Sequence, residues 1–126
     1  MTENFKKISL DEAPRTELHD TLGLTGSEVS VNRLPAGAAV PFVHAHKQNE
    51  ELYGVLEGRG ELWIDGEVVE IKAGDWVRIS PAGKRALRAA ADEGIVFICM
   101  QTKAGSLEGY TMTDGVICEE KAPWHA

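Results

Sequence analysis

Short apolar stretches with alternating polar positions, interrupted every eight to twelve residues by turn signals, run through most of this chain. Segments 28–34, 40–46, 51–57, 60–65, 67–72, 75–80, 84–89 and 94–101 each have the composition and period of a β-strand. Between them stand Pro35-Ala36-Gly37, Glu57-Gly58-Arg59-Gly60, Asp65-Gly66, Ala73-Gly74, Pro81-Ala82-Gly83 and Asp92-Glu93-Gly94. Asp65-Gly66 is the strongest hairpin signal, because a type I′ turn needs positive φ at both central positions. Many short, evenly spaced strands predict an all-β sandwich or barrel. Residues 16–23 predict a short turn of helix or an irregular lead-in, and residues 103–126 a final strand with a polar tail. No long amphipathic helix, internal repeat or low-complexity segment stands out.

At 126 residues the chain predicts one domain over 1–126, with a barrel core over about 28–101. A domain of this size buries roughly two-thirds of its unfolded surface. The 13 basic and 20 acidic residues give a net charge of −7, scattered along the sequence. No basic patch forms, which argues against nucleic acid as a partner. No apolar run reaches the length of a membrane span, and Met1–Lys7 lacks the apolar core of a signal peptide. Cys99 and Cys118 are far apart and outside any paired motif, so they predict free thiols in a reducing cytoplasm.

The candidate chemistry lies in His44-Ala45-His46 and Glu51. On a strand, side chains two apart project to one face, roughly 6.5 Å apart. Two imidazoles so placed converge on one metal ion if the next strand returns a carboxylate to them. Two His and one carboxylate suit Fe, Mn or Zn with positions left open for a substrate. The bland alternative is that each His is a surface or satisfied core residue. His19 in the lead-in and His125 near the C-terminus have no such company and are expected to be solvated.

The segment Gly37 to Gly60 resembles the first motif of the cupin superfamily, with His44, His46, Glu51 and Gly58 in register and Gly37 one residue further from His44 than usual. Gly74-Asp75 and Pro81-Ala82-Gly83 echo the second motif. The resemblance, over roughly residues 28–101, implies an antiparallel double-stranded β-helix, or jelly-roll barrel. It also implies a homodimer and an internal pocket for a small-molecule ligand. It further implies a divalent metal (Fe, Mn, Ni or Zn) on His44, His46 and Glu51. Ala86 stands where the family carries its third His, and Ala90 where it carries Asn. Three readings stay open: a metal on three ligands, a substitute ligand such as Gln48, Tyr53 or His19, or a polar pocket without tightly bound metal.

If His44 and His46 face inward, alternation turns Phe42 inward too, and Tyr53 with Glu51. Tyr53 is the candidate catalytic residue, as hydrogen-bond donor or acid/base; its alternative is a packed ring with a satisfied hydroxyl. Arg85 and Arg88 flank the vacant ligand position; surface exposure is the expectation for both, and the alternative is that one of them binds a carboxylate or phosphate through its planar fork. Trp63, Trp76 and Trp124 are expected to fill the inter-sheet core or a dimer contact. Two functions from different classes remain: a small-molecule metalloenzyme of dioxygenase, isomerase or epimerase type, or a non-catalytic small-molecule-binding or sensor cupin with a degenerate site.

Overall fold

The computed structural model describes residues 2–125 and contains seven strands: β1 (Arg15–Glu17), β2 (Glu28–Leu34), β3 (Asn49–Ile64), β4 (Glu67–Lys72), β5 (Trp76–Ile79), β6 (Arg85–Ala89) and β7 (Ile95–Lys103). A four-residue helix, α1 (His19–Leu22), follows β1, and a 3-10 turn covers Thr111–Thr113. All strand pairings are antiparallel, as the alternating pattern and short turns require.

The 16-residue β3 organises the barrel. Its first half lies between β7 and β5, and β7 continues the sheet through β2 to β1. Its second half lies between β4 and β6. One strand therefore belongs to both sheets, and it must bend where it passes from one to the other. The bend is a bulge: Val55 opposes Phe97 and Glu57 opposes Val96, leaving Leu56 as the extra residue. Gly58 completes it with φ of 75°, and a Cβ there would lie 1.8 Å from the Gly94 carbonyl oxygen. Only glycine suits both demands.

Expected strands 51–57 and 60–65 are thus one strand, because the Gly58–Gly60 signal marks a kink rather than a reversal. The Asp65-Gly66 hairpin forms as expected, with φ of 49° and 92° joining β3 to β4. Segment 40–46 is not a strand. It has an isolated bridge at His44–Arg85, with another at Ala39–Arg88 just before it, and Pro41 within it has no N–H for a continuous ladder. Beyond β7 no further strand forms among the described residues.

The core lies between the two sheets and draws on both: Tyr53, Val55, Ile79, Ile95 and Phe97 meet Leu62, Ile71, Leu87 and Ala89. Burying each larger side chain stabilises the fold by about 1.5–3 kcal/mol. The tryptophans are not part of it. Trp76 and Trp124 are 54% and 82% exposed, and Trp63 is half-buried. Trp76 lies over Gly54, whose absent side chain leaves room for the indole. Among the described residues, no helix is long and apolar enough to cross a membrane.

Candidate metal centre

The segment carrying the histidines is irregular but tied firmly to β6 and the turn before it. Val40 donates to the Leu87 carbonyl, His44 and Arg85 exchange backbone hydrogen bonds at 3.0 and 2.9 Å, and His46 N–H donates to the Pro81 carbonyl at 2.8 Å. Glu51 sits near the start of β3 with Ile79 and Gln101 as its register partners, and its side chain points inward at 4% exposure. Tertiary hydrogen bonds, rather than a strand of their own, therefore bring the imidazoles to the carboxylate.

One potential ligand atom from each of His44, His46 and Glu51 lies within 4.8 Å of the others. His44 Nε2 is 3.6 Å from Glu51 Oε1, and His46 Nε2 is 3.3 Å from Glu51 Oε2. The rings meet edge to face, with centroids 5.2 Å apart. His44 Nδ1 and His46 Nε2 are buried without a hydrogen-bond partner. A buried polar atom left unpaired is costly, and a cation among these groups would satisfy the His46 nitrogen. The two nitrogens and one oxygen thus fit a first-row divalent ion.

Glu51 is also the acceptor for three further donors. Arg85 Nη1 donates to Oε1 at 2.5 Å, the Tyr53 hydroxyl to the same oxygen at 3.2 Å, and the Cys99 thiol to Oε2 at 3.1 Å. Burial acts to raise the Glu51 pKa, but the Cys99 and Arg85 hydrogen bonds and nearby positive charge outweigh it, holding the carboxyl below its usual 4.5. Burial pushes Tyr53 and Cys99 far above their ordinary ranges, and the Glu51 charge adds to both shifts. His44 lies below its usual 6.5, chiefly because burial disfavours the imidazolium, although Glu51 opposes this.

Arg85 overturns the expectation of a surface residue. Its side chain is 0% exposed, whereas Arg88 is exposed and pairs with Glu61 across the β3–β6 ladder. Ala86, the next residue, is half-buried and offers the site only a methyl group. Phe42 reaches the cavity and packs edge-on to His44 at 5.7 Å but remains 59% exposed, because its segment is not a regular strand. His19 lies outside the cavity, bonded to Asp20, and His125 is exposed, as expected. Arg85 does bind a carboxylate, the alternative to surface exposure, but that carboxylate is the protein's own Glu51, and Cys99 is a site residue that no motif marks. The alternation of Phe97, Cys99 and Gln101 along β7 carries the signal for Cys99.

The three metal-ligand candidates and Tyr53 line a cavity of about 550 Å³. Leu34, Val40, Leu87 and Phe97 supply apolar wall, and Arg15, Asn32 and Gln101 supply polar groups. Arg15 donates to the Asn32 side chain at 2.8 Å, and Asn32 in turn to Ser30 at 3.0 Å.

The sequence profile described as the cupin domain matches residues 30–101. A cupin protein of Bacteroides fragilis superposes with a TM-score of 0.90 at 62% identity, over 93% of this chain and 99% of that one. A predicted oxalate decarboxylase of Thermotoga maritima has a TM-score of 0.54 at 25% identity, over 61% of this chain and 64% of that one. An uncharacterized protein of Methanocaldococcus jannaschii is 32% identical over 66 residues, which span 52% of each sequence. The chain thus matches about half the length of that curated relative.

Proposed function

The chain belongs to the cupin domain family, and from that premise we propose that it is a metal-binding cupin whose cavity takes a small organic ligand. The observation that carries this reading is the meeting of His44, His46 and Glu51 within 4.8 Å, with a buried, unpartnered His46 nitrogen among them. His44, His46 and Glu51 would hold the ion. A bound divalent ion supplies a Lewis acid with open coordination positions.

The chain's own residues do the rest. Tyr53, Cys99 and Arg85 hold Glu51 ionised and fix its orientation. Phe42, Phe97 and Leu87 line the cavity beside the histidines and favour a ligand with an apolar body. Tyr53 is the candidate catalytic residue. Its high pKa makes it a donor rather than a phenolate base at neutral pH. The name of the Thermotoga maritima relative makes a small carboxylic acid the first ligand to try, and Arg15, at the cavity wall and paired with Glu17, is a cation that such a ligand would share. A homodimer in the cytoplasm belongs to the same reading.

The Arg85–Glu51 ion pair favours a second reading, a non-catalytic small-molecule-binding cupin, because it neutralises Glu51 without any metal. Elemental analysis of protein purified without a histidine tag separates the two. Near-stoichiometric Fe, Mn, Ni or Zn that disappears in a folded His44→Ala variant supports the metal centre. Metal that persists in that variant removes the assignment, and metal-free protein that still binds small acids supports the second reading.

A further inference from the structure

Arg85 has no access to solvent, and its guanidinium is held on two sides. Nη1 donates to Glu51 Oε1 at 2.5 Å. Nε donates to the Gly83 carbonyl at 2.9 Å, and Nη2 faces the carbonyls of Ser80, Pro81 and Gly83 at 2.9, 3.2 and 2.7 Å. The same residue's backbone pairs with His44, and His46 N–H bonds to Pro81, one of the carbonyl-bearing residues of that turn. Arg85 therefore joins all three candidate ligands through one rigid turn. Buried and turned towards these oxygens, its guanidinium cannot swing out to meet a ligand in the cavity.

We infer that Arg85 is a positioning residue of the metal site: its guanidinium is the fixed counter-cation that holds Glu51 in the metal-free protein and competes with an incoming divalent ion for that carboxylate. This inference rests on the metal reading above. A buried carboxylate without a partner is expensive, and Arg85 removes that cost before any metal arrives. The site is thereby kept assembled when empty. The same charge stands in contact with a ligand oxygen, where it repels a dication and, being buried, is screened little by water or salt. Arg85 thus exerts two opposed effects, pre-assembly of the ligand set and restraint on affinity, of which the repulsion of a dication at contact distance is the larger.

Zinc titrated calorimetrically into chelator-stripped, tag-free protein tests this, with melting temperatures measured with and without zinc. The set is wild type, Arg85→Met, Arg85→Lys and His44→Ala. Arg85→Met is expected to bind zinc at least ~10-fold more tightly than wild type and to gain more melting temperature from it, since the repelling charge is gone. Arg85→Lys keeps the charge but not the fork to the turn carbonyls, and is expected to tighten zinc binding by no more than about threefold over wild type. Zinc binding by wild type that is lost in His44→Ala secures the site itself. Equal or weaker binding by Arg85→Met, or the same tightening in Arg85→Lys, then overturns the role of Arg85 alone. Absence of zinc binding throughout the set overturns the metal reading together with it. If Arg85→Met does not fold in chelator, refolding on addition of zinc supports the inference, and failure to refold with or without zinc overturns it.

Discussion

The Tyr53 hydroxyl donates to Oε1 of Glu51 at 3.2 Å, the same carboxylate oxygen that receives the Arg85 guanidinium. Both residues are on the inward face of β3, two positions apart, so the contact follows from the strand's own periodicity. Tyr53→Phe keeps the ring that packs edge-on to Phe97 and removes only this donor. The expected loss is about 1 kcal/mol in urea unfolding at neutral pH. A loss above about 3 kcal/mol would show that the ring packing, rather than the hydroxyl, had been disturbed.

Stability should fall with acid in two stages. His44 and Glu51 both have native pKa values below their ordinary ones, so the unfolded chain binds their protons more readily. Their contribution is complete above about 6.5 and declines as pH falls, first through His44 and then, below about 4.5, through Glu51. Urea midpoints at pH 8, 6 and 4 check this; a flat profile would contradict it. Metal content should decline only below about 6.5, because burial holds the folded-state His44 under that value and it is the protonated imidazole that cannot coordinate.

Gly58→Ala should be among the most damaging small substitutions. The new methyl would meet the Gly94 backbone at 1.8 Å in a left-handed conformation, so neither partner can yield cheaply. A loss of roughly 2 kcal/mol or more is expected. Gly66→Ala is the matched control: φ is 92° but no atom lies within 4 Å, so only the conformational strain of about 1 kcal/mol applies. Thermal melts of the two variants should rank in that order.

The two thiols should differ sharply towards iodoacetamide. Cys118 is exposed, whereas Cys99 is half-buried and donates to Glu51, with burial and that carboxylate raising its pKa. The thiolate is the reactive form, so mass spectrometry at pH 8 should find Cys118 modified well before Cys99. Equal rates would mean that Cys99 does not face the buried carboxylate.

Much of the architecture was legible because it rests on local rules. Alternation and turn chemistry located β2, β4 and the Asp65-Gly66 hairpin within a residue or two. Spacing within one motif brought His44, His46 and Glu51 to a single point, and alternation placed Tyr53 beside them. The histidine segment has the apolar pattern of a strand, yet its hydrogen bonds go piecemeal to β6 and to Pro81. Of the two places expected for Trp76 and Trp124, the inter-sheet core and a dimer contact, the core is ruled out by their exposure, because size does not say which face of an element turns outward.

By itself, then, the sequence determined an antiparallel β-barrel and the identity of three convergent groups, since period, turn residues and short motif spacing act over a few residues. Tertiary structure alone decided what surrounds those groups. Arg85 and Cys99 lie 34 and 48 positions from Glu51, and strand pairing across the two sheets brings them to its oxygens. An arginine on a short strand has no local signature that separates a solvated side chain from one sealed against a carboxylate. Burial and partner are properties of the assembled barrel, and they set the charge of this site.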